Sequence, residues 1–192
     1  MRKIVFDVET KNSFQEVGST DPAALDISLL VIYDYTTDTY QSFMEADFPK
    51  LWRILEQTDL IIGYNCDHFD IPVLNKYYPG DLTNIKTLDL LVEIKNALGK
   101  RVRLDAIAEA TLGTNKTGGG LDAIKWWRQG EIEKIRSYCE MDVKITKEVY
   151  EYALKHQSLK LKDFDGIKTF PIKTAHWEKA AGKGALNYTL PF

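Results

Sequence analysis

Asp7 and Glu9 stand one residue apart in Ile4-Val5-Phe6-Asp7-Val8-Glu9-Thr10, an apolar run near the start of a 192-residue chain. Side chains alternate along a strand, so both carboxylates share a face with Val5 while Ile4, Phe6 and Val8 take the other. Asp and Glu are poor strand formers and like charges repel, so a buried pair calls for a counter-ion. The same oddity recurs twice. In "IIGYNCDHFDIPVL" an apolar strand ends in a polar loop carrying Asp67 and Asp70 just ahead of a helix. In "EIEKIRSYCEMDVKITKEVYEYALKH", Ile135, Tyr138, Asp142, Ile145, Val149 and Tyr152 recur at helical spacing, so Asp142 sits inside an apolar stripe. Asp7, Glu9, Asp70 and Asp142 are hard oxygen donors from separate elements, the ligands that Mg²⁺ or Mn²⁺ takes. Two such ions, about 3.5–4 Å apart, activate a water and stabilise both the attacking and the leaving oxygen of a phosphodiester.

The elements that must position these acids follow from the same patterning. After the first strand, a loop from Lys11 to Pro22 leads to "LDISLLVIYDY" and "TYQSFM", two strands joined by a polar turn, which with the first make a three-stranded meander. Asp47-Phe48-Pro49 starts a helix through "LWRILE". "LIIGY" is a short buried strand that breaks at Asn65, and Pro72 lies in the first turn of the helix after it. "IKTLDLL" reads as a further strand or strand end, "LDAIAEATLG" as a helix closed by Gly113, and "NKTGGG" as a loop. One long helix is expected from about Glu131 to His156. Strands that alternate with helices imply an α/β fold with a mixed sheet. Beyond it, "LKLKDFDGIKTFPI" alternates around Asp165-Gly166 as a hairpin would.

With 44% hydrophobic and 28% charged residues, the chain has the composition of one soluble globular domain. The N-terminus runs directly into the strand, and no apolar run approaches the ~20 residues of a membrane span, so a cytoplasmic location without membrane partners is expected. Cys66 and Cys139 show no disulfide or zinc-ligand spacing and read as buried free thiols. A formal net charge of −3 gives no global basic signature of nucleic-acid binding, but two divalent cations would turn it into +1. Basic residues cluster in "KNALGKRVR", with Lys95, Lys100, Arg101 and Arg103, and in the tail from Lys155 to Lys183. Either run is a solvated face or a place for a phosphate backbone.

"FDVET", "IGYNCDHFD" and "YCEMD" resemble, in order and separation, the three exonuclease motifs of the DEDD superfamily of ribonuclease H-like 3'→5' exonucleases. Tyr138 lies four residues before Asp142, as in the tyrosine branch, which includes family B polymerase proofreading domains and YprB-like domains. The histidine branch would carry His at position 137, which here is Ser. "WWRQGEIEKIRSYCEMDVKIT" is most similar to the YprB-like group. The resemblance covers roughly Arg2 to His156 and implies a ribonuclease H-like domain over residues 1–157, with 158–192 as an extension of it.

What the resemblance implies about residues is specific. Asp7, Glu9, Asp70 and Asp142 would be the metal ligands, with Asp7 the bridge, and Tyr138 would orient the attacking water. Asn65 would hydrogen-bond the substrate backbone or brace its loop, and Thr10 and Phe69 would join it at the substrate. The implied activity is 3'→5' removal of nucleotides from single-stranded DNA or RNA ends with two Mg²⁺ or Mn²⁺ ions, in a larger replication, repair or RNA-processing assembly. A ribonuclease H-type endonuclease and a catalytically silent binding module of the same fold are the alternatives.

Blander readings attach to several residues. Asp7 and Glu9 would be unremarkable on an exposed edge strand, and Asp142 at the border of an amphipathic helix. Asp67 and His68 read as solvent-facing, and Asp89 as a helix cap. At least one of Trp126 and Trp127 reads as core packing before base stacking, and "TGGG" as a mobile substrate-side loop rather than a phosphate cradle.

Overall fold

The computed structural model describes residues 1–114 and 120–179. In chain order the elements are β1 (Lys3–Thr10), α1 (Phe14–Val17), β2 (Ile27–Asp34), β3 (Thr39–Phe43), α2 (Phe48–Leu55), β4 (Leu60–Gly63) and α3 (Asp70–Asn75). They continue with β5 (Thr87–Asp89), α4 (Leu90–Leu98), α5 (Leu104–Leu112), α6 (Gly120–Arg128), α7 (Ile132–His156), β6 (Ser158–Asp163) and β7 (Gly166–Pro171). The first five strands form one sheet in the order β3-β2-β1-β4-β5, antiparallel in the meander and parallel from β1 to β4 to β5. The fold is therefore α/β with a mixed central sheet.

The alternation in β1 sorts its side chains between two cores. Ile4, Phe6 and Val8 pack with Leu51 and Leu55 of α2 and with Ile71 and Leu74 of α3. Val5, on the opposite face, packs with Ile94 of α4, Ile107 of α5, Ala123 of α6 and Val143 and Val149 of α7. The sheet is thus a middle layer between two helical layers, and β1 is its central strand. That position removes the edge-strand reading of Asp7 and Glu9: they project from the most enclosed strand, on the face covered by α7.

β1 and β4 pair only from Lys3↔Leu60 to Val5↔Ile62. Beyond Val5 the two strands part, because β4 ends at Gly63 and its chain turns away. A Cβ at Gly63 would come within 2.5 Å of Cys66 Cβ, so only glycine fits this turn without displacing the loop that follows.

Three helices lie where the sequence pattern marks no helical span: α1, inside the expected loop from Lys11 to Pro22, and α4 and α6. α4 begins at Asp89, whose side chain accepts from the N–H groups of Leu91 and Val92, and it ends at Gly99 with φ 72°. α6 follows the glycine run. The loop expected at "NKTGGG" lies, over 115–119, outside the described residues. β6 and β7 form the expected hairpin, and residues 172–179 return to the body. There Trp177 is fully buried, stacks on Tyr150 at 5.8 Å, and donates its Nε1–H to Glu93 at 2.9 Å. Lys86 Nζ donates to the carbonyls of His176, Trp177 and Lys179 at 3.2, 2.8 and 2.8 Å. Among the described residues, no helix is long and apolar enough to cross a membrane.

Candidate active site

Where β1 and β4 part, a cavity of about 410 Å³ opens, within the ~300–1,000 Å³ of small-ligand sites. Asp7, Glu9 and Thr10 reach it from β1, Asn65 and Phe69 from the loop after β4, Asp70 from the start of α3, and Tyr138 and Asp142 from α7. All eight residues singled out from the sequence line this one cavity. Glu9 and Asp142 are each 6% exposed and Asp70 is 4% exposed, so three of the four carboxylates are nearly withdrawn from water.

Each acid is held in its own way. An Asp7 oxygen, a Glu9 oxygen and Cys139 Sγ lie within 4.8 Å of one another. Cys139 is three residues before Asp142 on α7, so the helix that brings in one acid also sets a thiol against another. Asp70 Oδ1 accepts from the Val8 N–H at 3.0 Å, on the stretch of β1 that β4 no longer pairs. Burial pushes the Asp70 carboxyl up to about 7; the Val8 N–H opposes this, and the charges of Asp89 and Asp142 add to it. Burial also pushes the Tyr138 phenol upward, reinforced by Asp142, Glu9 and Asp7, so its hydroxyl keeps its proton through the neutral range.

The walls contain residues that the motifs did not flag. Asn12, Ser13 and Phe14 line one side, and Leu121 and Ile124 of α6 another. Phe14 meets Phe69 edge to face at 6.1 Å, and Leu121 is 77% exposed beside them. A sequence signal existed for α6, whose Leu121 and Ile124 are three residues apart. Trp126 and Trp127 are half-buried against the core rather than lining the cavity, and Trp126 packs edge-on against Tyr138 at 5.8 Å. Asp67 and His68 are exposed. Cys66, Asp67 and Asp89 form a second acid–thiol group, but Asp89 is committed to capping α4 and to backbone N–H groups of the loop after β4.

The donor set fits divalent cations. Four carboxylates and no Lys, Arg or His contribute to the described lining, and oxygen is the donor that Mg²⁺ and Mn²⁺ prefer over sulfur or nitrogen. The thiol of Cys139 is pushed well up by burial and by Asp7 and Glu9, and sulfur is a donor that Mg²⁺ and Mn²⁺ favour less than oxygen.

Comparison with solved structures finds the same fold elsewhere. The chain is similar to a family B DNA polymerase from the hyperthermophilic archaeon Pyrobaculum calidifontis, with TM-score 0.61 and 19% identity over 80% of this chain and 24% of that one. It is also similar to E. coli ExoI in a zinc-bound complex with single-stranded DNA, with TM-score 0.52 and 15% identity over 81% of this chain and 41% of that one. The chain thus spans less than half the length of either protein. Comparison with curated proteins finds no match. A family model described as the RNase_H superfamily matches residues 4–154, a span that begins in β1, ends in α7 and takes in every carboxylate of the cavity. On that match, over most of its length, the chain belongs to the RNase_H superfamily.

Proposed function

We propose that this chain is a metal-dependent nuclease that removes nucleotides from single-stranded 3' ends. The observation that supports it most is the convergence of Asp7, Glu9, Asp70, Asp142 and Tyr138, drawn from three separate elements, on one cavity beside the middle strand. Superfamily membership makes phosphodiester hydrolysis the natural chemistry for that set. A neighbour that binds single-stranded DNA and another that is a DNA polymerase point to nucleic acid as the substrate.

In this reading Asp7, Glu9, Asp70 and Asp142 would hold two Mg²⁺ or Mn²⁺ ions. When bound, such ions offset the negative charge of the phosphodiester and make water a competent nucleophile near neutral pH. The remaining work falls to the chain. Tyr138 keeps the proton on its Oη and orients the attacking water by a hydrogen bond, since a phenol pushed upward by burial is no base at neutral pH. Asp70, fixed by the Val8 N–H, presents its carboxylate in one orientation. Phe14, Phe69 and Leu121 form an apolar wall for the terminal base, and Thr10 and Asn65 offer polar groups to the sugar and phosphate.

The test is digestion in Mn²⁺ of a 5'-labelled linear oligonucleotide and of a circular single strand, as DNA and as RNA. Stepwise shortening of the linear strand with an intact circle is expected. Opening of the circle would instead establish an endonuclease, and binding without cleavage a silent module.

A further inference from the structure

The loop between β4 and α3 is held from two directions. Asn65 has φ 68°, the left-handed region that Asn tolerates better than most residues. Its N–H donates to Asp89 Oδ1 at 2.8 Å, the Asp67 N–H donates to Asp89 Oδ2 at 3.2 Å, and Asp89 Oδ1 also accepts from Leu91 N–H at 2.9 Å. Asp89 is 4% exposed, so a buried carboxylate fixes the backbone from which the Asn65 side chain projects. On the outer side, Nη2 of Arg101 donates to Asn65 Oδ1 at 2.6 Å.

Arg101 differs from Arg103 and Arg128 in its partners. Arg103 pairs with Asp105 at 2.7 Å, and Arg128 pairs with Glu16. Among the described residues Arg101 is in no ion pair, and it is exposed. Its guanidinium spends one donor on Asn65 and keeps the others in a planar fork, the shape that matches a phosphate through two parallel bonds. It adjoins a residue that lines the cavity but does not line the cavity itself, so it stands at the rim, apart from the carboxylates.

We propose that Arg101, oriented by Asn65, binds a backbone phosphate of the single strand other than the one being cleaved. This assignment rests on the nuclease reading above. The phosphate that reacts must lie among the carboxylates, and the strand leading to it must leave by the rim, where a cation offsets its charge. Arg101, in no ion pair among the described residues, is a cation placed to receive it, and Asn65, whose side-chain oxygen accepts from the guanidinium, ties it to the cavity wall.

The experiment compares wild type, Arg101→Gln and Arg101→Lys in Mn²⁺ on two substrates: a labelled oligothymidylate, and the p-nitrophenyl ester of thymidine 5'-monophosphate, which offers no second phosphate. For the oligonucleotide, Arg101→Gln should raise KM about 5–10-fold near 0.1 M salt with kcat within twofold, and should lower the salt slope of binding by about one. Arg101→Lys should recover only part of the loss, because a point charge does not replace a fork. The KM penalty should vanish on the ester. An unchanged KM and salt slope in an active Arg101→Gln would overturn the proposal. Equal loss on both substrates would also overturn it, since Arg101 would then be bracing the loop. A wild type that hydrolyses neither substrate removes the nuclease reading itself and takes this one with it.

Discussion

The Sγ of Cys139 lies 3.4 Å from Oδ2 of Asp7 and 3.3 Å from the Asp7 carbonyl oxygen. Its thiol, kept protonated by burial, donates to a residue proposed to hold metal. A hydrogen bond to a charged group contributes roughly 1.5–3 kcal/mol at best, and a thiol donor less. Cys139→Ala should raise the Mn²⁺ concentration for half-maximal activity several-fold, while Cys139→Ser, which restores a donor, should sit nearer wild type. A metal titration of both variants checks this, and equal behaviour of the two would show the thiol to be filler.

The carboxylates make a stricter prediction. Asp7→Asn and Asp142→Asn preserve shape and remove one charge each, so both variants should fold and neither should hydrolyse single-stranded ends in Mg²⁺ or Mn²⁺. Circular dichroism and end-labelled digestion together decide it. Full wild-type activity in excess chelator would argue against metal dependence altogether.

Tyr138 is assigned to orientation, so its loss should slow turnover without loosening the metals. Tyr138→Phe should reduce kcat by roughly 10–10³-fold and leave the Mn²⁺-induced rise in melting temperature unchanged. Loss of that rise would make the hydroxyl a ligand instead.

Metal-free stability should depend on pH through Asp70, whose burial raises it to about 7. A folded value above the unfolded one, near 3.9, stabilises the fold fully below about pH 4, and the contribution disappears as pH rises to 7. In chelator the melting temperature should therefore climb as pH is lowered from 8 toward 5. Asp70→Asn should flatten that climb, raise the melting temperature at pH 8, and shrink the added stability from Mn²⁺. Thermal melts at both pH values provide the measurement; an identical climb in the variant would move the effect to another group.

The segment after the hairpin is tied to the body by Trp177, so Trp177→Ala should cost about 3–5 kcal/mol and lower the melting temperature by roughly 10 °C. A thermal scan with saturating Mn²⁺ and without it would show whether the loss is the same in both, as a purely structural role requires.

Much of this site is legible in the sequence because strand and helix periodicities place side chains by counting. Asp7 and Glu9 fall on Val5's face of β1, and Asp142 falls on the buried stripe of α7, whose observed start at Ile132 is within one residue of the expected Glu131. What counting does not reach is contact between distant elements. Cys139 meets Asp7 across 132 residues, and Arg101 meets Asn65 across 36. The span of α4 is hidden although Asp89 and Gly99 bracket it as cap and stop, because Leu88, Leu90 and Leu91 look equally like a strand ending. In α6 the adjacent tryptophans are the conspicuous feature, whereas Leu121 and Ile124, which line the cavity, look like ordinary apolar residues.

Asp89 carries a consequence for the order in which the protein assembles. Asn65 and Asp67 donate to a carboxylate 24 and 22 residues further along the chain, so the local bonds of their loop, from the Phe69 N–H to the Asn65 carbonyl and from the Ile71 N–H to the Cys66 carbonyl, are completed by a remote partner. The loop gains that partner only once β5 has docked beside β4 and α4 has begun. In a refolding chain, the meander and α7 can form while this loop still samples many conformations. Competence for substrate should therefore arrive late, after most secondary structure, and pulse-labelled amide exchange at Asn65 and Asp67 would time it.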